Sequence, residues 1–311
     1  LRARTAELLT DLIGRFRSFP DVLVGGPEIR VDVEAADLPA TILARPVGVA
    51  RRLFEPEYAF DYFPEADLLY FVEPGAAASC DPSDGSIRIA VDPADPRARF
   101  VASHLFFSIL LLELLKRRGR FAVHAAAVGL DGRAALLAGP AGSGKSTLAF
   151  ACARAGLAFL GDDVSLLKWS GDRLRVLAFP DAIELARDST RFFPDLADLF
   201  RDRDIGASPK RPFHPLDRGP VELAWEAEPA VLLFPAIRAE DPVRLSELSA
   251  DGALLRLVPN VVRTDQGASQ AHLDALAALA RTVPAYELEF SDPLAVPAAI
   301  HDLLVQLAGR R

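Results

Sequence analysis

Three observations predict an α/β fold carrying a smaller β-rich lobe at its N-terminal side. Residues 139–147 read Gly139-Pro140-Ala141-Gly142-Ser143-Gly144-Lys145-Ser146-Thr147, a full G-x-x-x-x-G-K-S/T run. From Phe121 onward, apolar strand-like runs alternate with helical segments, the pattern of a layered α/β domain. Residues 1–95, in contrast, are short β-type runs between turn residues and carry no catalytic signature.

In the lobe, Val22–Val24, Ile29–Val33, Leu68–Val72 and Ile87–Val91 read as strands. They follow an amphipathic pattern of Leu8, Leu9, Leu12, Ile13 and Phe16, which does not resemble a secretory leader and predicts a cytoplasmic location. The aromatic and acidic stretch Phe54–Phe71 reads as packing of the lobe core, with a partner surface as the alternative. Asp92-Pro93-Ala94-Asp95-Pro96 is a turn or linker and Phe100–Arg118 a helix, so residues 96–118 divide the lobe at 1–95 from a domain at 119–311. The apolar run Phe106–Leu115 contains Ser108 and Glu113 and falls short of the roughly 20 residues of a bilayer span, so it predicts a buried helix and no membrane partner. Lys116-Arg117-Arg118-Gly119-Arg120 lies where that helix ends, and its charges would complement the helix dipole.

In the second part, Phe121–Val128 reads as a strand, Asp131-Gly132 as a turn, and Ala134–Ala138 as a buried parallel strand entering the glycine-rich loop. Thr147–Ala155, closed by Gly156, is a helix with a C-terminal glycine. Ala158–Gly161 and Asp162–Leu167 follow, then a hairpin turn at Ser170-Gly171-Asp172 and strands at Leu174–Ala178, Glu222–Trp225 and Ala230–Phe234. Helices near His272–Thr282 and Pro297–Leu307 close the chain, and the polar, proline-rich stretch Asp202–Pro220 reads as the mobile loop.

Composition narrows the function. The 311 residues are 50 % hydrophobic, enough to bury a sizeable core, and the net charge of −8 argues against a general nucleic-acid binder. Four lysines are present, at 116, 145, 168 and 210, and two cysteines, Cys80 and Cys152, which read as plain core residues.

The loop points to a nucleoside triphosphate. Glycines at 139, 142 and 144 let successive backbone N–H groups, including those of Ala141 and Ser143, turn toward phosphate. Lys145 would reach the β- and γ-phosphates, the Ser146 hydroxyl would hold Mg²⁺, and the helix opening at Ser146 and Thr147 would favour an anion. Asp162-Asp163 follows at a spacing that suits a compact kinase-type site, one carboxylate serving the metal and one the hydroxyl to be phosphorylated; the bland alternative is a turn acid with a solvated neighbour. His124, alone in an apolar strand, would ordinarily be structural, but its position before the loop makes it a candidate. Lys210-Arg211, in the polar loop, is a candidate cationic clamp for acceptor or phosphate, or a solvated basic pair.

His124, the loop and Asp162-Asp163, in this order, resemble the catalytic domain of bacterial HPr serine kinase/phosphorylase over about residues 119–190. The resemblance implies a P-loop domain of the phosphoenolpyruvate-carboxykinase/HPr-kinase-like type that phosphorylates a serine hydroxyl with ATP and Mg²⁺. It also implies roles: Lys145 on the β/γ-phosphates, Ser146 on Mg²⁺, Asp162 orienting or deprotonating the acceptor, Asp163 assisting the metal, and His124 near the γ-phosphate, the two acids being interchangeable. The segment Phe179–Ser189 has no Glu-Val-Arg-Gly signature and looks like the divergent HPr-kinase-related proteins of ribosomal-peptide biosynthesis, including lasso-peptide tailoring kinases. A peptide or protein acceptor is therefore expected, with a small-molecule hydroxyl or a non-catalytic ATP-binding regulator as alternatives. The lobe would hold the peptide, or serve stability or homo-oligomerisation.

Overall fold

The computed structural model describes residues 2–3, 10, 12, 14–19, 28–54, 59–201, 210–239, 242–261 and 263–309. The chain forms two compact units, residues 1–120 with 262–270, and residues 121–261 with 271–311. The segment 96–118 thus belongs to the first unit. The strand expected at Val22–Val24, Tyr58, and Leu8, Leu9 and Ile13 lie outside the described residues.

The first unit is built on a seven-stranded sheet. Its strands are β1 (Arg2–Ala3), β2 (Arg30–Ala35), β3 (Arg51–Phe54), β4 (Ala59–Phe63), β5 (Leu68–Glu73), β6 (Ala76–Asp81) and β7 (Ser86–Val91), in the order β1-β2-β7-β6-β5-β4-β3. β2 runs parallel to β7, and the strands from β7 through to β3 form an antiparallel meander. One face packs Phe60, Phe71, Ile87 and Ile89 against Phe106, Leu110 and Leu114 of a long helix. The other face gathers Leu43, Phe63, Tyr70, Ala77 and Ala90 beneath the short helix α1 (Pro39–Ile42) and the chain just beyond it. The aromatics between Phe60 and Phe71 are therefore core, and Cys80 is fully buried among them.

The long helix, α2 (Pro96–Arg117), opens with Asp95 accepting from the N–H groups of Arg97 and Ala98, and passes through a π-helical stretch at Val101–Phe106. It is longer than the sequence pattern indicates: by length and composition it matches a membrane span, yet it supplies the core of this sheet. Its basic end does more than face a dipole. Glu113 accepts from Lys116 Nζ at 2.6 Å, from Arg117 Nη1 at 2.8 Å and from the Thr264 hydroxyl at 2.6 Å. Arg117 Nε also reaches Asp67 Oδ2 at 2.7 Å, and Asp67 accepts from the Tyr62 hydroxyl. Lys116 is 3 % exposed, and burial pulls its pKa down against the upward pull of Glu113.

The second unit contains a nine-stranded mixed sheet between two helical layers. β9 (Ala125–Leu130) pairs antiparallel with β10 (Arg133–Ala138) and β11 (Ala158–Gly161). β10 runs parallel to the long β16 (Glu226–Ile237), which is parallel in turn to β18 (Ala285–Phe290). β8 (Phe121–Val123), β12 (Ser165–Ser170) and β13 (Arg173–Leu177) extend the sheet on the other side of β16, and β17 (Arg244–Leu248) pairs with β18. Alternation along β10 divides the core: Ala135 and Leu137 join the layer of α3 (Lys145–Arg154) and α6 (Val296–Ala308), while Leu136 and Ala138 join the layer of α4 (Ala250–Leu257) and α5 (Gln266–Thr282).

Several expected elements change. The strand Phe121–Val128 is two strands, because residues 121–123 bond to β12 and residues 125–130 to β10 and β11; His124 stands at the break. Glu222–Trp225 is not a strand but a single bridge from Leu223 to Phe159, ahead of β16. The loop strand has one parallel and one antiparallel neighbour. Asp202–Pro220 is not one loop: residues 202–209 lie outside the described residues, and Lys210–Phe213 form β15, paired with β14 (Ile183–Ala186).

Gly161 sets the path of the chain as it leaves β11. A Cβ there would lie 2.8 Å from the carbonyl oxygen of Val164 and 2.9 Å from that of Phe179, and neither backbone atom can swing aside. Gly161→Ala is expected to lower stability by about 1–3 kcal/mol in denaturant unfolding. In the first unit, Glu113→Gln leaves the buried Lys116 without its anion and the half-buried Arg117 with Asp67 alone, and is expected to cost about 3 kcal/mol, read the same way.

Candidate functional site

The site is assembled where β10 ends. Ala138 leads into a loop in which Gly139, Gly142 and Gly144 all have positive φ, and α3 begins at Lys145. Gly144 caps that helix with φ 96°, and a Cβ on it would come within 3.1 Å of the Phe290 ring, so both conformation and space call for glycine. The helix thus presents its N-terminus to the loop, the end that favours anions. Ala141 and Gly142 are exposed, whereas the Ser143 hydroxyl is buried and makes no hydrogen bond among the described residues.

Lys145 is largely buried and folds back onto the loop, its Nζ donating to the carbonyls of Gly139 at 2.7 Å and Pro140 at 3.1 Å. Desolvation lowers its pKa, Asp163 and Asp162 pull it up, and Lys210 pushes it down again. The Thr147 hydroxyl lies 3.4 Å from that of Ser189.

Asp162 follows Gly161 directly and is 4 % exposed. The Ser146 hydroxyl and the backbone N–H of Glu184 on β14 both favour its charged form, while its Oδ1 has no hydrogen-bond partner among the described residues. Burial, and secondarily the charge of Asp163, push its pKa up to about 7 against the pull of Ser146, Glu184 and Lys210. Asp163 differs sharply, with a side chain 72 % exposed and Oδ1 3.2 Å from His124 Nδ1. The chain bends at His124 between β8 and β9, which turns that ring toward the acid pair.

The candidate basic pair separates. In the β14–β15 hairpin Lys210 is opposite Ala186 and Arg211 opposite the core residue Leu185. Successive strand residues face opposite sides, so Lys210 shares the face of Glu184 and Arg211 does not. The Lys210 charge acts on both Lys145 and Asp162. Glu184 and Ser189 are not candidates by sequence. The period-2 run Ile183-Glu184-Leu185-Ala186 carries a strand signal that could have found the first; Ser189 has none.

Chemically, the arrangement offers a helix N-terminus and a lysine for phosphate, and beside them a hydroxyl and a carboxylate of the hard-oxygen type that suits Mg²⁺. The unpartnered Asp162 Oδ1, next to Ser146, fits such a cation. No protein-family model and no curated protein matches this chain. Among solved structures, the HPr(Ser) kinase/phosphatase from Coxiella burnetii aligns with a TM-score of 0.31 and 14 % identity, covering 60 % of this chain and 99 % of that one. At that level of likeness the functional reading rests on the site's own geometry.

The Asp162 environment predicts a pH signature. Folded Asp162 keeps its proton up to about pH 7, while the unfolded chain releases it near about pH 4. Between those values the folded state holds the extra proton, so this contribution to stability declines as pH rises and is gone above about pH 7. Asp162→Asn, which mimics the protonated acid, is expected to raise the melting temperature at about pH 8 and to flatten its decline between about pH 4 and pH 7. A variant that melts like the parent at every pH would show that Asp162 ionises freely.

Proposed function

We propose that this protein is an ATP- and Mg²⁺-dependent phosphotransferase that places the γ-phosphoryl group on a hydroxyl, a serine of a peptide or protein acceptor. The observation that carries this reading is the grouping of Lys145, held on the loop carbonyls, with the charges of Asp162 and Asp163 that act on it, Asp163 lying against His124. In transfer, the acceptor oxygen bonds to the γ-phosphorus, the bond to the β-phosphate oxygen breaks, ADP leaves, and the hydroxyl proton passes to a carboxylate.

Burial supports a division of labour between the two acids. Asp162 is closed off from solvent and feels the Ser146 hydroxyl, so Ser146 and Asp162 would hold Mg²⁺, which when bound offsets phosphate charge. Asp163 is open to solvent, where an acceptor can approach, so it takes the proton while His124 orients it. This is the reverse of the division that the family resemblance implies. Lys145 exchanges its two loop carbonyls for phosphate oxygens, and Lys210 adds a second cation on the same side. The resemblance of residues 119–190 to HPr-kinase-related proteins supports serine as the acceptor and a ribosomal-peptide precursor as its source.

ATP with Mg²⁺ at about a hundred times its Kd is expected to stabilise the protein by roughly 2.7 kcal/mol in thermal melting, and Lys145→Ala to remove most of that gain. With labelled ATP and candidate precursor peptides, followed by mass spectrometry, Asp163→Asn is expected to keep nucleotide binding and lose transfer by about a hundredfold or more, whereas Asp162→Asn raises the Mg²⁺ requirement. No melting shift with any nucleoside triphosphate would end this reading. Transfer to a free metabolite but to no peptide would replace the acceptor.

A further inference from the structure

The sheet of the first unit ends at β3. β3 pairs with β4, Arg51 opposite Tyr62 through Phe54 opposite Ala59, and has no second strand neighbour among the described residues. An edge of this kind offers a row of N–H and C=O groups to any extended chain, and folded proteins ordinarily blunt it. Here the approach to the edge is unusually apolar. Val47 and Val49, immediately before β3, are fully and 81 % exposed, and Leu38 and Ile42 of the same stretch are also exposed.

The stretch is also positive. Between Leu38 and Phe54 there are three arginines and no acidic residue, in a chain whose net charge is −8. Arg45 and Arg52 share a single buried carboxylate, Asp61, at 2.9 and 3.0 Å, so the trio keeps a positive charge. Arg51 has neutral partners, donating to the carbonyls of Arg263 and Thr264 and lying over the Tyr62 ring. Its charge is uncompensated by these contacts.

We infer that the β3 edge is a docking strand for an extended peptide segment of alternating aliphatic and acidic residues. The peptide backbone continues the ladder beyond β3, its aliphatic side chains cover Val47 and Val49, and its carboxylates meet the Arg45 and Arg52 guanidiniums. This goes beyond the phosphotransfer reading and is read by binding alone, so its failure leaves that reading standing.

The test uses the full chain and fluorescence anisotropy with a labelled synthetic peptide alternating glutamate and valine. Binding is expected for this probe, weakened about tenfold or more for a lysine–valine counterpart and for a probe methylated on every backbone amide. Arg45→Gln and, separately, the pair Val47→Ser/Val49→Ser are each expected to weaken it to a similar extent with melting unchanged, and the methylated probe decides without any variant. Equal binding of the methylated probe would overturn the proposal. So would a dimer in sedimentation that Val47→Ser/Val49→Ser dissolves, since the edge would then belong to a second copy.

Discussion

A carboxylate kept out of water is the constraint on which the candidate site depends. Asp162 is buried because β11 runs close against the chain at Phe179, and that approach is open only to glycine at 161. The burial disfavours its charge, and the pull of Ser146 and of the Glu184 N–H restores only part of what water would supply. What remains is an oxygen aimed beside the loop hydroxyl with no partner among the described residues. Every other feature of the site is arranged around it: the loop brings Ser146, the β14–β15 hairpin brings the Glu184 N–H and the Lys210 charge, and the bend at 124 brings His124 to the neighbouring acid.

The first unit buries charge too, with the opposite result. Glu113 meets Lys116, Arg117 and Thr264, and the arginine in turn meets Asp67, so each group's loss of hydration is answered by a partner. Complete pairing of this kind holds residues 262–270 within a unit formed mainly by the first 120 residues. It consumes its own electrostatic capacity. Asp162 is matched less fully, and incompletely matched burial beside a glycine loop is what marks it as a candidate functional group.

The loop and its flanking strand and helix were legible because each is a local pattern, a few glycines between an apolar run and a helical one. The two core cysteines, the buried helix at 106–115 and the core role of Phe60, Phe63 and Phe71 were legible for the same reason. The single strand at 121–128 was misleading: apolar character continues through the break, and the change of partner from β12 to β10 leaves no mark in composition. Lys210 and Arg211 read as loop residues because Pro212 and the polar run before them mask a four-residue strand.

Which residues of the second unit are candidates for chemistry was legible in the order of amino acids, since the loop, the acid pair and the histidine are side chains of particular types at short spacings. How those residues differ from one another emerged only in the folded chain. Asp162 and Asp163 are identical neighbours in sequence, yet one is sealed against Ser146 and the other stands in solvent beside His124. That difference arises from the packing of β11 against residues 179 and 184, contacts between distant parts of the chain whose burial and field no local pattern encodes.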